Sequence, residues 1–364
     1  MANPPHDVKP TLASARVVSV YKTNHHSPSH VGLGVTVANS AKTLRRNGIW
    51  AEVWPCESAD ELAARLRAAD ARAVVRRESV PTHVIVNAPW IETPRVESLA
   101  HEFPNVVFTV VSHSNFGFLA ADPHAVKLLR ETVDLQHATH NVRVAGNCRK
   151  FADAAQEAWG ANVACLPNLY DVSEPMPPYR SPWAGDCLRI GLFGACRILK
   201  NGLTAAAAVA ILAKTLRVPT ELHISERDDG GVSRGIDELA EGVPNLRVVY
   251  SGWLSWVRFR RLVGHMHVLL QPSFTESFNV VTADGIHAGV PSVTSPAIDW
   301  VPKRWQADPD DAADVANVAE SLLRTPHAVE DGRRALSNYV ARGLLEWRGF
   351  LVPPINARDG SRAA

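Results

Sequence analysis

From Gln271 to Pro291 the chain carries two carboxylates, Glu276 and Asp284, on either side of an expected helix start. An apolar strand pattern ends at Gln271 in a small polar loop. A short helix is expected from about Phe278 to Ala288, closed by Gly289 and followed by Pro291. The start of a helix presents unpaired N–H groups and the positive end of its dipole, which suits a phosphate. Glu276 and Asp284 can accept hydrogen bonds from hydroxyls, so a sugar and its phosphate could be held together. A second segment, Ile190 to Asn201, runs from a strand into a loop with Arg197 and Lys200 at the mouth of the next helix. The planar fork of Arg and the compact charge of Lys can together neutralise a diphosphate without a metal. A third, His30 to Gly34, reads as a loop whose Gly32 and Gly34 let backbone approach a ligand closely. Each piece alone also has a plain reading: a capping acid, surface cations, turn glycines.

These segments need a scaffold, and the chain alternates strand and helix patterns throughout. Strands are expected at Ala15–Tyr21, Trp50–Trp54, Thr82–Asn87, Val106–Ser112 and Val163–Leu166, with helical spacing between them, including about Val35 to Asn47. After the proline-rich stretch around Pro175, Pro177, Pro178 and Pro182 the alternation restarts at Leu188–Phe193 and runs to Ser292–Thr294. Alternation of this kind builds parallel sheets, and ligands then sit beyond the carboxyl ends of the strands. With 364 residues about two domains are expected. The division is residues 1–170, a linker at 171–187, a second domain at 188–340, and a C-terminal helix and tail at 341–364 that can pack back on the first domain.

The ordered set resembles the family 4 retaining glycosyltransferases of the GT-B fold, relatives of sucrose and glycogen synthases. The likeness covers the glycines at Gly32 and Gly34, the strand-end His113, the stretch Leu166 to Asp171, Arg197 with Lys200, Tyr250 to Trp253, and the carboxylate segment through Pro291. It implies an α/β fold of two Rossmann-like, doubly wound parallel-sheet domains facing a central cleft. The first would bind the acceptor and the second the nucleotide sugar. It implies Glu276 near the donor sugar hydroxyls and Asp284 on the ribose. The backbone amides of Phe278, Asn279 and Val280 would face the donor phosphate, Arg197 and Lys200 would clamp the diphosphate with Gly32 and Gly34 beside it, and His113 would lie near the reacting centre. The reaction implied keeps the anomeric configuration, with a UDP- or GDP-sugar as donor and no obligatory cofactor or metal. Two departures stand out: Asp284 is a methylene shorter than the usual Glu, and Asn279 replaces the usual Gly, a position where Asn tolerates a left-handed backbone.

The acceptor side is less defined. His30, Trp90 and Asn115 are the candidate contacts, and saccharide, lipid-linked, protein and modified nucleic-acid base acceptors all stay open. A DNA-base glycosyltransferase is an alternative, with Trp90, Phe116, Phe118 and Lys22 stacking and steering a flipped base. The near-neutral net charge of +1 disfavours it. A non-catalytic nucleotide-sugar binder is the other alternative. The run His25 to His30 is interrupted by Pro28, and Asp308 to Asp311 reads as a helix-capping cluster, so neither is expected to hold a metal. Arg258 to Arg261 beside Trp253, Trp256 and Val257 leaves peripheral membrane contact open, although a snorkelling helix face suffices. Five widely spaced cysteines, no apolar signal core and no long apolar run fit a cytoplasmic chain without a transmembrane segment.

Overall fold

The computed structural model describes residues 12–23, 31–76, 80–175, 177, 183, 185–227 and 231–352. The chain forms two compact units, one taking residues up to Leu169 and from Ala341 onward, the other Tyr170–Val340. The first unit orders β1 (Arg16–Lys22), α1 (Val31–Arg46), β2 (Trp50–Cys56), α2 (Ala59–Arg76), β3 (His83–Asn87) and α3 (Thr93–Glu102). It continues with β4 (Val107–Ser112), α4 (Phe116–Leu119), α5 (Pro123–Ala138), β5 (Val142–Gly146), α6 (Arg149–Trp159) and β6 (Ala164–Cys165). The six strands lie in the order β2-β1-β3-β4-β5-β6 and every pairing is parallel. Helices must cover both faces of such a sheet, which is why Val17–Val20, Val84–Val86 and Phe108–Val111 read as runs of buried residues.

The second unit orders β7 (Leu188–Leu192), α7 (Gly202–Leu216), β8 (Thr220–Ile224), α8 (Val232–Glu241), β9 (Leu246–Tyr250), α9 (Trp256–Val263) and β10 (Val268–Gln271). It then adds α10 (Val280–His287), β11 (Ser292–Thr294), α11 (Ala312–Arg324) and α12 (Ala328–Leu351). Its five strands pair in parallel in the order β11-β10-β7-β8-β9. Helix α7 packs against both α8 and α11, and its Ala205, Ala206, Ala208 and Ala213 are small enough to permit that approach. Both sheets therefore carry the doubly wound parallel pattern expected of the sequence.

The boundary between the units falls inside α12. From Ala341 onward that helix belongs to the first unit: Trp347 Nε1 donates to the Pro167 carbonyl at 2.9 Å, Glu346 pairs with Arg149, and Phe350 lies 5.8 Å from the His83 ring. Three local readings change. Helix α1 begins at Val31, so Gly32 and Gly34 lie in its first turn instead of in a loop. Thr36 donates to the Gly32 carbonyl at 2.9 Å, and a Cβ on Gly34 would meet the Tyr21 ring at 3.3 Å. The glycine there makes room for a tyrosine. Strand β5 and helix α6 were not anticipated, because Arg143 interrupts the short β5 run and Cys148 gives no side-chain cap to α6.

Candidate functional site

Strand β10 is buried along its length and delivers Gln271 to the carboxyl edge of the second sheet. The loop beyond it folds around one carboxylate oxygen. Glu276 Oε1 accepts from Lys200 Nζ at 2.5 Å, Ser273 Oγ at 2.9 Å and Asn279 Nδ2 at 2.9 Å. The Glu276 side chain is 9% exposed and that of Lys200 28%, so water screens this pair less than a surface ion pair. Asn279 adopts φ 63°, ψ 88°, the left-handed backbone expected of it, and caps α10 by accepting from Thr282 N at 2.9 Å. Burial of the Trp300 indole, which donates to the Phe278 carbonyl at 2.6 Å, and stacking of Phe278 on Tyr339 fix the loop from below.

Lys200 reaches Glu276 because a second loop is stapled to the first. After β7 the chain turns at Gly194, whose φ of +111° only glycine adopts readily and whose N–H donates to Ser225 Oγ at 3.2 Å. A single 3-10 turn, Ile198–Lys200, then leads to the left-handed Asn201. Asn201 is buried and its Nδ2 donates to the carbonyls of Pro272 and Pro309 at 3.1 and 2.6 Å, while Phe274 N donates to Leu199 O at 3.0 Å. Arg197 is exposed at the mouth of this turn. Thus Arg197, Lys200, Glu276, Phe278, Asn279 and Val280 all come from two loops of the second unit joined by direct hydrogen bonds. Sequence reasoning missed Asn201, Ser273 and Gln271, which hold this arrangement; an Asn directly after Lys200 and before a helix was the available signal.

Asp284 sits between two aromatic donors. It is 1% exposed, and its Oδ1 accepts from Tyr170 OH at 2.6 Å and Trp256 Nε1 at 3.0 Å. Burial pushes its pKa from the ordinary 3.8 up to about 6, opposed by the two hydrogen bonds and by Arg260. Arg260 lies over the Trp256 ring at 4.9 Å and contacts Glu174 and His287, extending the polar chain toward the end of α10.

In the first unit, His113 follows β4 and its Nε2 lies 2.9 Å from Asn87 Oδ1. Asn87 Nδ2 already donates to the carbonyls of Val20 and Ile85, both at 3.1 Å, so its oxygen faces the imidazole. His113 Nε2 therefore carries the proton and donates it. Burial lowers the His113 pKa to about 4, which keeps the ring neutral near pH 7. Asn115 caps α4 by accepting from Phe118 N at 3.2 Å. Trp90 packs its ring on the core, and its buried Nε1 has no hydrogen-bond partner. Phe116, considered for base stacking, lies 5.2 Å from Phe151 and 5.4 Å from Trp159. His30 and the rest of the histidine run lie outside the described residues. In the second unit, Asp311 caps α11, accepting from Ala313 N and Asp314 N at 2.8 and 3.2 Å.

No protein-family model and no curated protein sequence matches this chain. Solved structures do. A sucrose-phosphate synthase from Thermosynechococcus elongatus aligns at TM-score 0.65 and 15% identity, over 92% of this chain and 98% of that one. A trehalose-phosphate synthase (UDP-forming) from Burkholderia vietnamiensis aligns at 0.60 and 13%, over 93% and 98%. Anabaena HepE, solved in complex with UDP and glucose, aligns at 0.56 and 14%, over 92% and 97%. Two parallel-sheet units in one chain match these structures along nearly their whole length.

The fold is GT-B. In its second unit the chemistry does not coincide with a sizeable pocket. A pocket of about 700 Å³ is lined by Arg260, Arg261, His265, His287 and Val290, at the opposite ends of α9 and α10 from the loops that hold Glu276. Neither Lys200 nor Glu276 lines it, and the convergent polar groups at β7 and β10 carry more chemical meaning than its volume. Among the described residues of this GT-B chain, no group of three His, Cys, Asp or Glu is placed to hold a metal, and no helix is long and apolar enough to cross a membrane.

Proposed function

We propose that this chain is a retaining glycosyltransferase of the family 4 kind, moving a sugar from a nucleoside-diphosphate sugar, UDP- or GDP-linked, to a hydroxyl acceptor without a metal. The observation that carries the reading is the Lys200–Glu276 contact, built from two loops at the carboxyl edge of the second sheet and beside the start of α10. Carboxyl ends of strands are where open α/β sheets bind ligands, and a helix start beside a lysine suits a diphosphate. The similarity of the fold to a UDP-forming synthase and to a protein solved with UDP and glucose supports the same donor class.

In the proposed reaction the acceptor oxygen forms a bond to the anomeric carbon on the face from which the diphosphate departs. The carbon–oxygen bond to the phosphate breaks with its electron pair going to the leaving group, whose oxygen takes the acceptor proton. Lys200, Arg197 and the amides at the start of α10 meet the charge that develops on the diphosphate. Glu276 accepts from donor sugar hydroxyls and orients the ring. The neutral His113 lies near the sugar and the reacting centre, and cysteines held in no disulfide fit a cytoplasmic setting.

The test is thermal stabilisation by a panel of nucleotide sugars and bare nucleoside diphosphates, with and without chelator. A ligand at about 100 times its dissociation constant adds about 2.7 kcal/mol. A shift with one diphosphate class, unchanged by chelator, is expected. Absence of any shift across the panel overturns the reading. Binding without sugar transfer to water or to any hydroxyl acceptor would leave a nucleotide-sugar binder in place of an enzyme.

A further inference from the structure

Asn279 does more at this site than admit a left-handed turn. Its Nδ2 has two hydrogens and both are used, one toward Glu276 Oε1 at 2.9 Å and one toward Gln271 Oε1 at 3.0 Å. Its Oδ1 accepts from Thr282 N at 2.9 Å, which fixes the amide orientation, since the Glu276 carboxylate can only accept and Gln271 turns its oxygen toward Asn279. Gln271 is oriented in turn because its Nε2 donates to the Phe193 carbonyl at 3.0 Å. A continuous chain of hydrogen bonds thus runs from the end of β7 through Gln271 and Asn279 to Glu276. Asn279 is 7% exposed, so water competes little for any of these bonds.

We infer that Asn279 is a positioning residue: its side-chain amide sets the orientation of the Glu276 carboxylate while capping α10, so that the acid and the helix start are aimed as one unit. A glycine, which the backbone would accept at less cost, cannot do this. Lys200 holds the same oxygen from the other loop, and Asn279 decides where that oxygen sits relative to the amides at the start of α10. Misplacing a binding group by about 1 Å can cost about a hundredfold in turnover, so the loss of this tether is felt in catalysis before stability. The inference rests on the reading of Glu276 as the donor-sugar contact.

Two substitutions separate positioning from a merely structural role. Asn279→Asp keeps tolerance of the left-handed backbone and an oxygen to cap α10, but turns the donor toward Glu276 and Gln271 into a charged acceptor. Gln271 could flip to donate to it, only by setting its own oxygen against the Phe193 carbonyl. Asn279→Gly keeps the backbone and removes all three bonds. The readouts are thermal midpoint, affinity for the bare nucleoside diphosphate that stabilises the native chain, and kcat and KM for transfer of the donor sugar to water or acceptor. The expected result is kcat lower by about tenfold to a hundredfold in both variants, with diphosphate affinity within about twofold in the glycine variant and lowered in the aspartate variant by its added negative charge. If either folded variant keeps native kcat, or if only the glycine variant loses activity in proportion to its lost stability, Asn279 is a cap and the inference is overturned. If the native chain itself binds no nucleotide, the reading of the site fails first and this inference with it.

Discussion

At the carboxyl end of β10 three donors converge on one oxygen of Glu276, whereas at the carboxyl end of β4 a neutral imidazole, His113, meets the Asn87 amide. Both ends lie at the carboxyl edge of a parallel sheet, yet their polar groups are spent differently. In the second unit the candidate residues hold one another. In the first, Asn115 is committed to a helix cap, Trp90 to the core and Asn87 to its own sheet before any ligand arrives. Similar architecture therefore does not imply similar use: the second unit concentrates charge in two tethered loops, and the first offers uncharged groups already engaged within their own unit.

The largest expected effect tests the charged end of that contrast. Glu276→Ala or Lys200→Ala should lower turnover by at least about a hundredfold, the scale of losing a preorganised charge contact, and each leaves the other partner uncompensated. His113→Ala should cost clearly less, about tenfold, measured in the same assay. A His113 variant that loses more than the Glu276 variant would reverse the contrast and put the chemistry in the first unit.

Much of this was legible in the residues themselves, and the failures are instructive. The strand and helix alternation, the two loops and the left-handed Asn279 follow from local pattern, because a buried strand, a polar loop and a glycine-closed helix are encoded within about 20 neighbouring residues. The burial of Asp284 was not legible, since its partner Tyr170 is 114 residues away and nothing near Asp284 announces it. The tautomer of His113 likewise depends on Asn87, on the neighbouring strand. Gly32 and Gly34 were read as a loop because glycine disfavours helices, a weak preference that the packing of Tyr21 against α1 outweighs. Local sequence describes what a side chain offers; the distant chain decides whether the offer is already taken.

A smaller effect sharpens the same contrast through pH. Asp284 has a folded pKa of about 6 against 3.8 when unfolded, so between these values the native chain holds a proton that the unfolded chain releases. Its contribution to stability falls as pH rises from about 4 to 6 and stays lost above that. His113, lowered from 6.5 to about 4, has the opposite sign: its contribution is present above 6.5 and is lost as pH falls toward 4. Asp284→Asn should therefore gain on the native chain as pH rises through that window, and His113→Gln should gain as pH falls, each by about 1–2 kcal/mol after solvent relaxation. Differences between variant and native chain are needed because His83, His267 and His287 are also lowered by burial. Parallel slopes in thermal midpoint against pH would show that the two groups do not sit in the opposed environments described.

The smallest effect belongs to Asn115. If its side chain serves α4, Asn115→Ala removes the bond to Phe118 N and should cost about 1 kcal/mol, the usual loss of an N-cap. Turnover should change by less than about twofold, since the loss is confined to a four-residue helix of the first unit. Asn115→Asp restores the cap and should restore the stability. An acceptor contact behaves otherwise: turnover would fall in the alanine variant and stay low in the aspartate variant, because a carboxylate can no longer donate to an acceptor oxygen. Denaturant unfolding and kinetics on these two variants therefore decide whether the first unit contributes at this loop through recognition or only through shape.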